Sequence, residues 1–245
     1  SGHNNNLSFV VTPNGVVVIN SGASFRLAKA IHQEIKQVTD QPVKLVINEN
    51  GQGHAMLGNS YWSRIGVDII AHEDAILEVE ENAYQILERM KRYNKEKAVG
   101  TTVVPANISF SDEYLFDIGP GDTQVWIPEW SLMISGDIAF HERMLPIFEN
   151  TCTSCWIETW QTAFAPLNPL YIIPGHGHPT NLPQVEKYTL GYLLDLRSKI
   201  KSHIDAGGDL SSAYFVDQQK WKTLDTFEEL AKKNAGRVFE EMEWE

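Results

Sequence analysis

The stretch of sequence that decides the fold runs from residue 43 to residue 59 and reads Val-Lys-Leu-Val-Ile-Asn-Glu-Asn-Gly-Gln-Gly-His-Ala-Met-Leu-Gly-Asn. Its first five residues, 43–47, are mostly β-branched or otherwise apolar, and a short run of this kind predicts a buried strand. The strand leads into a glycine-rich loop that carries Asn50, Gln52 and His54. These polar residues are the first candidates for a functional site.

The same stretch resembles the signature loop of the metallo-β-lactamase fold. In that family the strand ends in His-x-His-x-Asp-His, and Gly-Asn follows two residues later. When the two are aligned without a gap, Asn50 and Gln52 occupy the first two His positions, His54 the Asp position and Ala55 the last His position. The resemblance therefore keeps the scaffold of the loop and replaces most of its metal ligands.

Four more segments resemble motifs of this family, and they occur in the family's order. They are Val-Ile-Asn-Ser-Gly at 18–22, Gly-Pro-Gly-Asp-Thr at 119–123, Ile-Ser-Gly-Asp-Ile at 134–138 and Tyr-Ile-Ile-Pro-Gly-His-Gly at 171–177. The resemblance thus covers nearly the whole chain. It implies an α/β fold, a four-layer αβ/βα sandwich of the metallo-β-lactamase type, formed as one domain over residues 1–245.

The pattern of apolar and turn residues predicts strands and helices in a compatible order. Ser24 is a predicted N-cap for the first helix, whose Leu27, Ile31 and Ile35 recur at helical spacing. Predicted strands cover residues 7–12, 16–20, 43–47, 69–72, 108–110, 114–118, 123–127, 132–135 and 170–173. Predicted helices cover about 27–38, 76–90, 153–165, 185–200 and 227–238.

Composition limits the classes of partner. The 245 residues carry a net charge of −12, with a pI of about 5.1. Such an acidic surface repels phosphate backbones, so nucleic acid is not an expected partner. No run of 18 apolar residues is present, so no membrane span is expected. We expect a small-molecule substrate or ligand, and the resemblance favours an exported or periplasmic location over the cytoplasm. The sequence gives no oligomeric state.

The resemblance also implies a site. Asp137 stands at the position of a metal-bridging Asp, and His176 at that of a late metal ligand. Together with His54 they make two imidazoles and one carboxylate, a usable set for one Zn²⁺. The implied catalytic residues are Asp137, which would orient the water, and His54, while Asn50 and Gln52 would donate hydrogen bonds to the substrate.

The family's first metal site, built from three His, has none left in this chain. Asp122 occupies the His position of the middle motif, and whether it binds a metal stays open. Asn50 and Gln52 offer only weakly basic amide oxygens, and Ala55 offers no donor. We therefore predict at most one zinc ion and little or no β-lactam hydrolysis, because metal-activated water is the main nucleophile in such sites.

Two function hypotheses follow. The first is a divergent hydrolase that acts on a small ester, amide or thioester. The second is a metal-free binding or regulatory protein that keeps the fold and has lost the chemistry, since a His in a glycine-rich loop is often only a hydrogen-bonded surface residue. A doubly wound nucleotide-binding fold is disfavoured, because no G-x-G-x-x-G follows the first strand. Metal content discriminates between the first two.

The two cysteines, Cys152 and Cys155, form one C-x-x-C pair. Such a pair can be a redox dithiol, half of a zinc site, or two neighbours on one helical turn. A four-Cys zinc site within one chain is excluded, because no second pair exists. Structural thiols, a local disulfide and a functional pair all remain open from the sequence.

Overall fold

The computed structural model describes residues 5–111, 123–243 and 245. These residues form two compact units, an N-terminal unit of residues 5–111 with 123 and a C-terminal unit of residues 124–243 with 245. Each unit builds its own sheet. The prediction of one domain over the whole chain stays a prediction. The predicted strand at 114–118 and Asp122 lie outside the described residues.

The N-terminal unit contains a five-stranded sheet in the order β1-β2-β3-β4-β5. β1 and β2 form a hairpin, and the later neighbours are parallel. The bounds are β1 Ser8–Thr12, β2 Gly15–Ile19, β3 Val43–Ile47, β4 Asp68–His72 and β5 Ile108–Phe110, with helices α1 Phe25–Val38, α2 Gly53–Met56, α3 Asn59–Trp62 and α4 Glu73–Asn94.

Local capping explains where the two long helices of this unit begin. Ser24 is the N-cap of α1, and its side chain accepts a hydrogen bond from the Leu27 amide at 3.2 Å, as its sequence position predicted. His72 ends β4 and caps α4, since its Nδ1 accepts from the Asp74 amide at 3.2 Å. The imidazole of His72 therefore has a structural role.

The C-terminal unit contains a three-stranded sheet in the order β6-β7-β8. β6 is antiparallel to β7, and β7 is parallel to β8. The bounds are β6 Val125–Ile127, β7 Leu132–Phe140 and β8 Tyr171–His176, with helices α5 Thr153–Thr159, α6 Leu182–Val185, α7 Gly191–Asp205, α8 Leu210–Ala213 and α9 Phe227–Met242. Five-residue π-helical segments follow α5 and α6.

A buried amide joins the core of this unit to the chain that follows β7. Asn234, on α9, is fully buried. Its Nδ2 donates to the Leu145 carbonyl at 2.8 Å and lies 3.0 Å from the Tyr192 hydroxyl, and its Oδ1 accepts from the Ile147 amide at 3.0 Å. Buried polar groups are stabilising when they are satisfied in this way. Burial also raises the pKa of Tyr192.

Two further features bear on function. Cys152 and Cys155 form a disulfide at the start of α5, so the local-disulfide alternative is the one the structure adopts. Over the described ranges, no helix combines the length and the apolar character needed to cross a bilayer.

Candidate functional site

Three buried asparagines hold the loop that follows β3. Asn59 donates to Asn48 Oδ1 at 2.7 Å, and Asn48 donates to the Ala55 carbonyl at 3.2 Å. Asn20, at the end of β2, accepts from the Glu49 amide at 3.1 Å. Asn20 has φ +66°, a left-handed conformation that Asn tolerates better than most residues. Two of these asparagines stand at motif positions, Asn20 in the 18–22 segment and Asn59 in Gly-Asn, and their side-chain amides help to fix the loop.

Ala55, at the last His position of the motif, is part of the core. Its side chain is fully buried. Its carbonyl accepts hydrogen bonds from both the amide and the hydroxyl of Ser21, each at 2.8 Å. This position therefore serves packing and backbone bonding, and it has no donor for a metal.

Asn50 and Gln52, the predicted substrate-binding residues, are arranged differently from each other. Asn50 is buried, and its Oδ1 accepts from the Gln52 amide at 2.9 Å. Its Nδ2 has no hydrogen-bond partner among the residues that the structure describes. Gln52 is half-buried and precedes α2 without capping it through its side chain. A buried N–H donor without a partner is rare in folded proteins.

His54 is half-buried on α2, and two carboxylates border it. Glu49 Oε1 lies 3.6 Å from His54 Nε2, and Glu49 is itself buried. Burial raises the pKa of Glu78, on α4, and the charge of His54 opposes that rise. Gly51 permits this close packing, because a Cβ there would lie 2.8 Å from Glu78 Oε2.

Neither Glu49 nor Glu78 was identified from the sequence. Glu49 had one available signal, since it is an acidic residue placed directly after a buried strand, within Asn-Glu-Asn. Glu78 had none, because it lies on α4 and reaches the loop only through tertiary packing.

Asp137 and His176 are brought together in the C-terminal unit. The Nε2 of His176 lies 3.4 Å from Asp137 Oδ1, and their side chains are 5% and 13% exposed. Asp137 follows Gly136, which has φ +55° and stands at a break in the register between β7 and β8. The break explains how a residue within β7 comes to face the end of β8.

Three residues surround this pair closely. The Phe140 ring stacks on the His176 imidazole, with centroids 5.2 Å apart and an interplanar angle of 19°. The Arg143 guanidinium lies 5.9 Å from the Phe140 centroid. Burial lowers the pKa of Arg143, and the charge of Asp137 is the first of the carboxylates that oppose this shift. A Cβ on Gly175 would lie 2.4 Å from Asp137 Oδ1.

A second His–Glu contact lies on the exposed surface just after His176. His178 Nδ1 lies 2.5 Å from Glu142 Oε2, and hydrogen bonding from His178 lowers the pKa of Glu142. His141 Nδ1 lies 2.9 Å from the His178 carbonyl oxygen. The His178 side chain is 86% exposed. These contacts lie at the surface of the protein.

Comparison with known proteins finds solved structures of similar architecture. No protein-family model matches the sequence, and no curated protein matches it. Among solved structures, the stereoselective inverting sec-alkylsulfatase Pisa1 from Pseudomonas sp. matches over 97% of this chain and 47% of its own, with a TM-score of 0.76 and 15% identity. A metallo-β-lactamase from Pontibacter korlensis matches over 76% of this chain and 86% of its own, with a TM-score of 0.62 and 17% identity. The metallo-β-lactamase FIM-1 from Pseudomonas aeruginosa, in its mono-zinc form, matches over 76% and 82%, with a TM-score of 0.61 and 15% identity.

The chain has the metallo-β-lactamase fold. The fold predicted from residues 43–59 and the later motifs is therefore confirmed. The chain spans about half the length of the alkylsulfatase that it matches.

Within the metallo-β-lactamase fold, the predicted site residues belong to two units. His54, Asn50 and Gln52 lie in the N-terminal unit, and Asp137 and His176 in the C-terminal unit. Asp137 and His176 contact each other within the C-terminal unit, and their assignment as metal ligands stays a prediction. The prediction that His54 joins them at one metal stays a prediction, as do the roles assigned to Asn50 and Gln52.

Proposed function

We propose that this chain is a hydrolase of the metallo-β-lactamase fold, which acts on a small ester, amide or thioester with one metal ion. The observation that carries the proposal is the Asp137–His176 pair. Its N···O distance of 3.4 Å is longer than the usual 2.7–3.2 Å of an N–H···O hydrogen bond. Two ligand atoms at about 2.1 Å from a tetrahedral ion lie about 3.4 Å apart, so the pair has the spacing of metal ligands.

The donor chemistry supports one ion. His54, Asp137 and His176 supply two imidazoles and a carboxylate, a set that can bind a single metal such as Zn²⁺. A second ion is not supported, because Ala55 has no donor and Asn50 Oδ1 already accepts a backbone hydrogen bond. We therefore propose a mononuclear site in place of the family's pair of metals.

When bound, such a metal lowers the pKa of a coordinated water to about 7 and so makes hydroxide available at neutral pH. The residues of the chain do the rest. Asp137 accepts a hydrogen bond from the attacking water and orients it. Glu49 fixes the His54 imidazole, as carboxylates beside ligating histidines commonly do. Asn50 Nδ2 is a buried donor. We therefore propose a substrate with a carbonyl oxygen, which accepts hydrogen bonds from the side-chain N–H groups of Asn50 and Gln52.

A second candidate is a metal-free binding protein. Two observations favour it: Ala55 is packed into the core, and the polar atoms of the β3 loop are largely used to hold the loop itself. In this case Asn50 and Gln52 bind a small ligand and no bond is broken.

Metal content and turnover test the proposal together. Protein purified without chelator is dialysed against Zn²⁺ and its metal is measured, for the wild type, His176→Gln and the control His178→Gln, which changes an exposed imidazole two residues away. We expect about one zinc per chain in the wild type and the control and much less in His176→Gln. Activity is then assayed on p-nitrophenyl esters, thioesters, anilides and, because of the alkylsulfatase neighbour, secondary alkyl sulfates. No bound metal and no turnover would leave the binding protein as the function.

A further inference from the structure

The disulfide between Cys152 and Cys155 lies outside the candidate metal site. It closes the chain across the start of α5, with Cα atoms 5.3 Å apart. The two sulfurs differ in environment, because Cys155 is exposed and Cys152 is half-buried. An external reagent therefore reaches the Cys155 side more readily. We propose that this disulfide is a thiol–disulfide exchange site for small thiols, which attack at Cys155.

Hydrogen bonds distinguish the sulfurs further. Cys152 Sγ accepts from the Cys155 amide at 3.1 Å and lies 3.4 Å from the Ser154 hydroxyl, which donates to it. Hydrogen-bond donors directed at one sulfur stabilise its thiolate form. The sulfur whose thiolate is more stable is the better leaving group when the disulfide is attacked. Cys152 Sγ is therefore the favoured leaving group when Cys155 Sγ is attacked.

A carboxylate takes up the other donors at the start of α5. Glu241 Oε1 accepts from the amides of Thr153 at 2.8 Å and Ser154 at 3.2 Å, and Arg197 holds the same oxygen at 3.2 Å. These amides are therefore directed at Glu241 and not at sulfur. Stabilisation of a Cys152 thiolate rests on the Cys155 amide and the Ser154 hydroxyl, which makes Ser154 the side chain to test.

The exchange balances with an external thiol as reductant. A thiolate RS⁻ bonds to Cys155 Sγ, the S–S bond breaks, and its electron pair leaves on Cys152 Sγ. This gives a mixed disulfide on Cys155 and a Cys152 thiolate. A second RS⁻ attacks the R sulfur of the mixed disulfide and releases RSSR and the Cys155 thiolate, and both thiolates take protons from solvent. Two RSH are oxidised to RSSR while the protein disulfide is reduced to a dithiol, and RSSR reverses the sequence.

The test uses the folded whole chain, isolated in air, with a chelator present so that the metal site has no part in the result. Glutathione is added, the reaction is quenched with acid, free thiols are alkylated, and peptides are mapped by mass spectrometry. We expect a disulfide at the outset, and then glutathione on Cys155 with alkyl on Cys152. Free thiols at the outset, glutathione mainly on Cys152, or reduction that occurs only in urea would each overturn the proposal.

A variant pair tests the role assigned to Ser154. Ser154→Ala should slow reduction by glutathione about threefold, the effect of losing one modest hydrogen bond. Ser202→Ala, which removes an exposed hydroxyl from α7, is the matched control and should reduce at the wild-type rate. Equal rates for the two variants would refute the assignment of Cys152 as the favoured leaving group.

Discussion

Gly175→Ala should damage the Asp137–His176 pair directly. A Cβ at this position would lie 2.4 Å from Asp137 Oδ1 and 2.7 Å from the carbonyl carbon and oxygen of Gly136. Ordinary contacts begin near 3.4 Å, so the carboxylate or the strand must move by about 1 Å. Overpacking of this kind costs about 1–3 kcal/mol of unfolding free energy. Because Asp137 loses its position, zinc affinity should fall by about 10- to 100-fold.

The matched control is Gly191→Ala. Its Cβ would meet nothing closer than 3.5 Å, and the residue begins α7, where replacing Gly by Ala favours the helix by up to about 1 kcal/mol. Urea unfolding with an unchanged m-value measures stability, and competition with a chromophoric chelator measures zinc affinity. If Gly175→Ala unfolded within about 0.5 kcal/mol of the wild type, the close approach of Gly175 to Asp137 would be refuted. If Gly175→Ala lost the expected unfolding free energy but kept the zinc affinity of the wild type, the role of Asp137 as a ligand would be refuted.

Four further outcomes are expected. Asn234→Leu should destabilise the chain by about 2–5 kcal/mol in urea, because it leaves two buried backbone groups unpaired; a loss under about 1 kcal/mol would contradict this. Cys152→Ser with Cys155→Ser should lower Tm by only about 2–4 °C, since the bridged loop is very short, and a drop of about 10 °C would show a larger role. Asp209 is the N-cap of α8, and hydrogen bonds from Ser212 lower its pKa to about 2. The stability that this carboxylate contributes is therefore present above about pH 4 and is lost as the pH falls toward 2. An NMR titration of Asp209 near the ordinary pKa of Asp would argue against this cap. Turnover of a chromogenic cephalosporin should stay below about 1 per second, and a faster rate would overturn the predicted loss of β-lactamase chemistry.

Local sequence signals predicted most of the regular elements. Ser24 and the apolar spacing after it located α1, and β3 was located to the residue. The face of α1 was harder to predict, because Val38 is 65% exposed while Ala28 is buried. A small side chain contributes little to a hydrophobic pattern, yet it allows close packing. The local pattern predicts that β7 ends at the polar Ser-Gly-Asp of residues 135–137. The strand continues to Phe140, because its pairing with β8 resumes beyond the break in register.

The candidate site was predictable only as far as its motifs reach. Asp137 and His176 stand in motifs that resemble ligand-bearing loops, and the structure pairs them. Glu49 and Phe140 were not predicted, although each contacts a site histidine. Both act through contacts that depend on how the chain folds back, and neither has a spacing or residue type that distinguishes it from a surface acid or a core aromatic.

The packing of Ala55 has a consequence for any attempt to build a metal ligand at this position. A histidine introduced there would need room for an imidazole where the structure has a fully buried methyl group, beside a carbonyl that accepts both donors of Ser21. Filling such a position strains a close-packed interior. Histidines introduced at Asn50 and Gln52 would therefore gain no third partner at Ala55 until the core around it had been enlarged. The close packing that stabilises the fold therefore works against a three-histidine metal site in this loop.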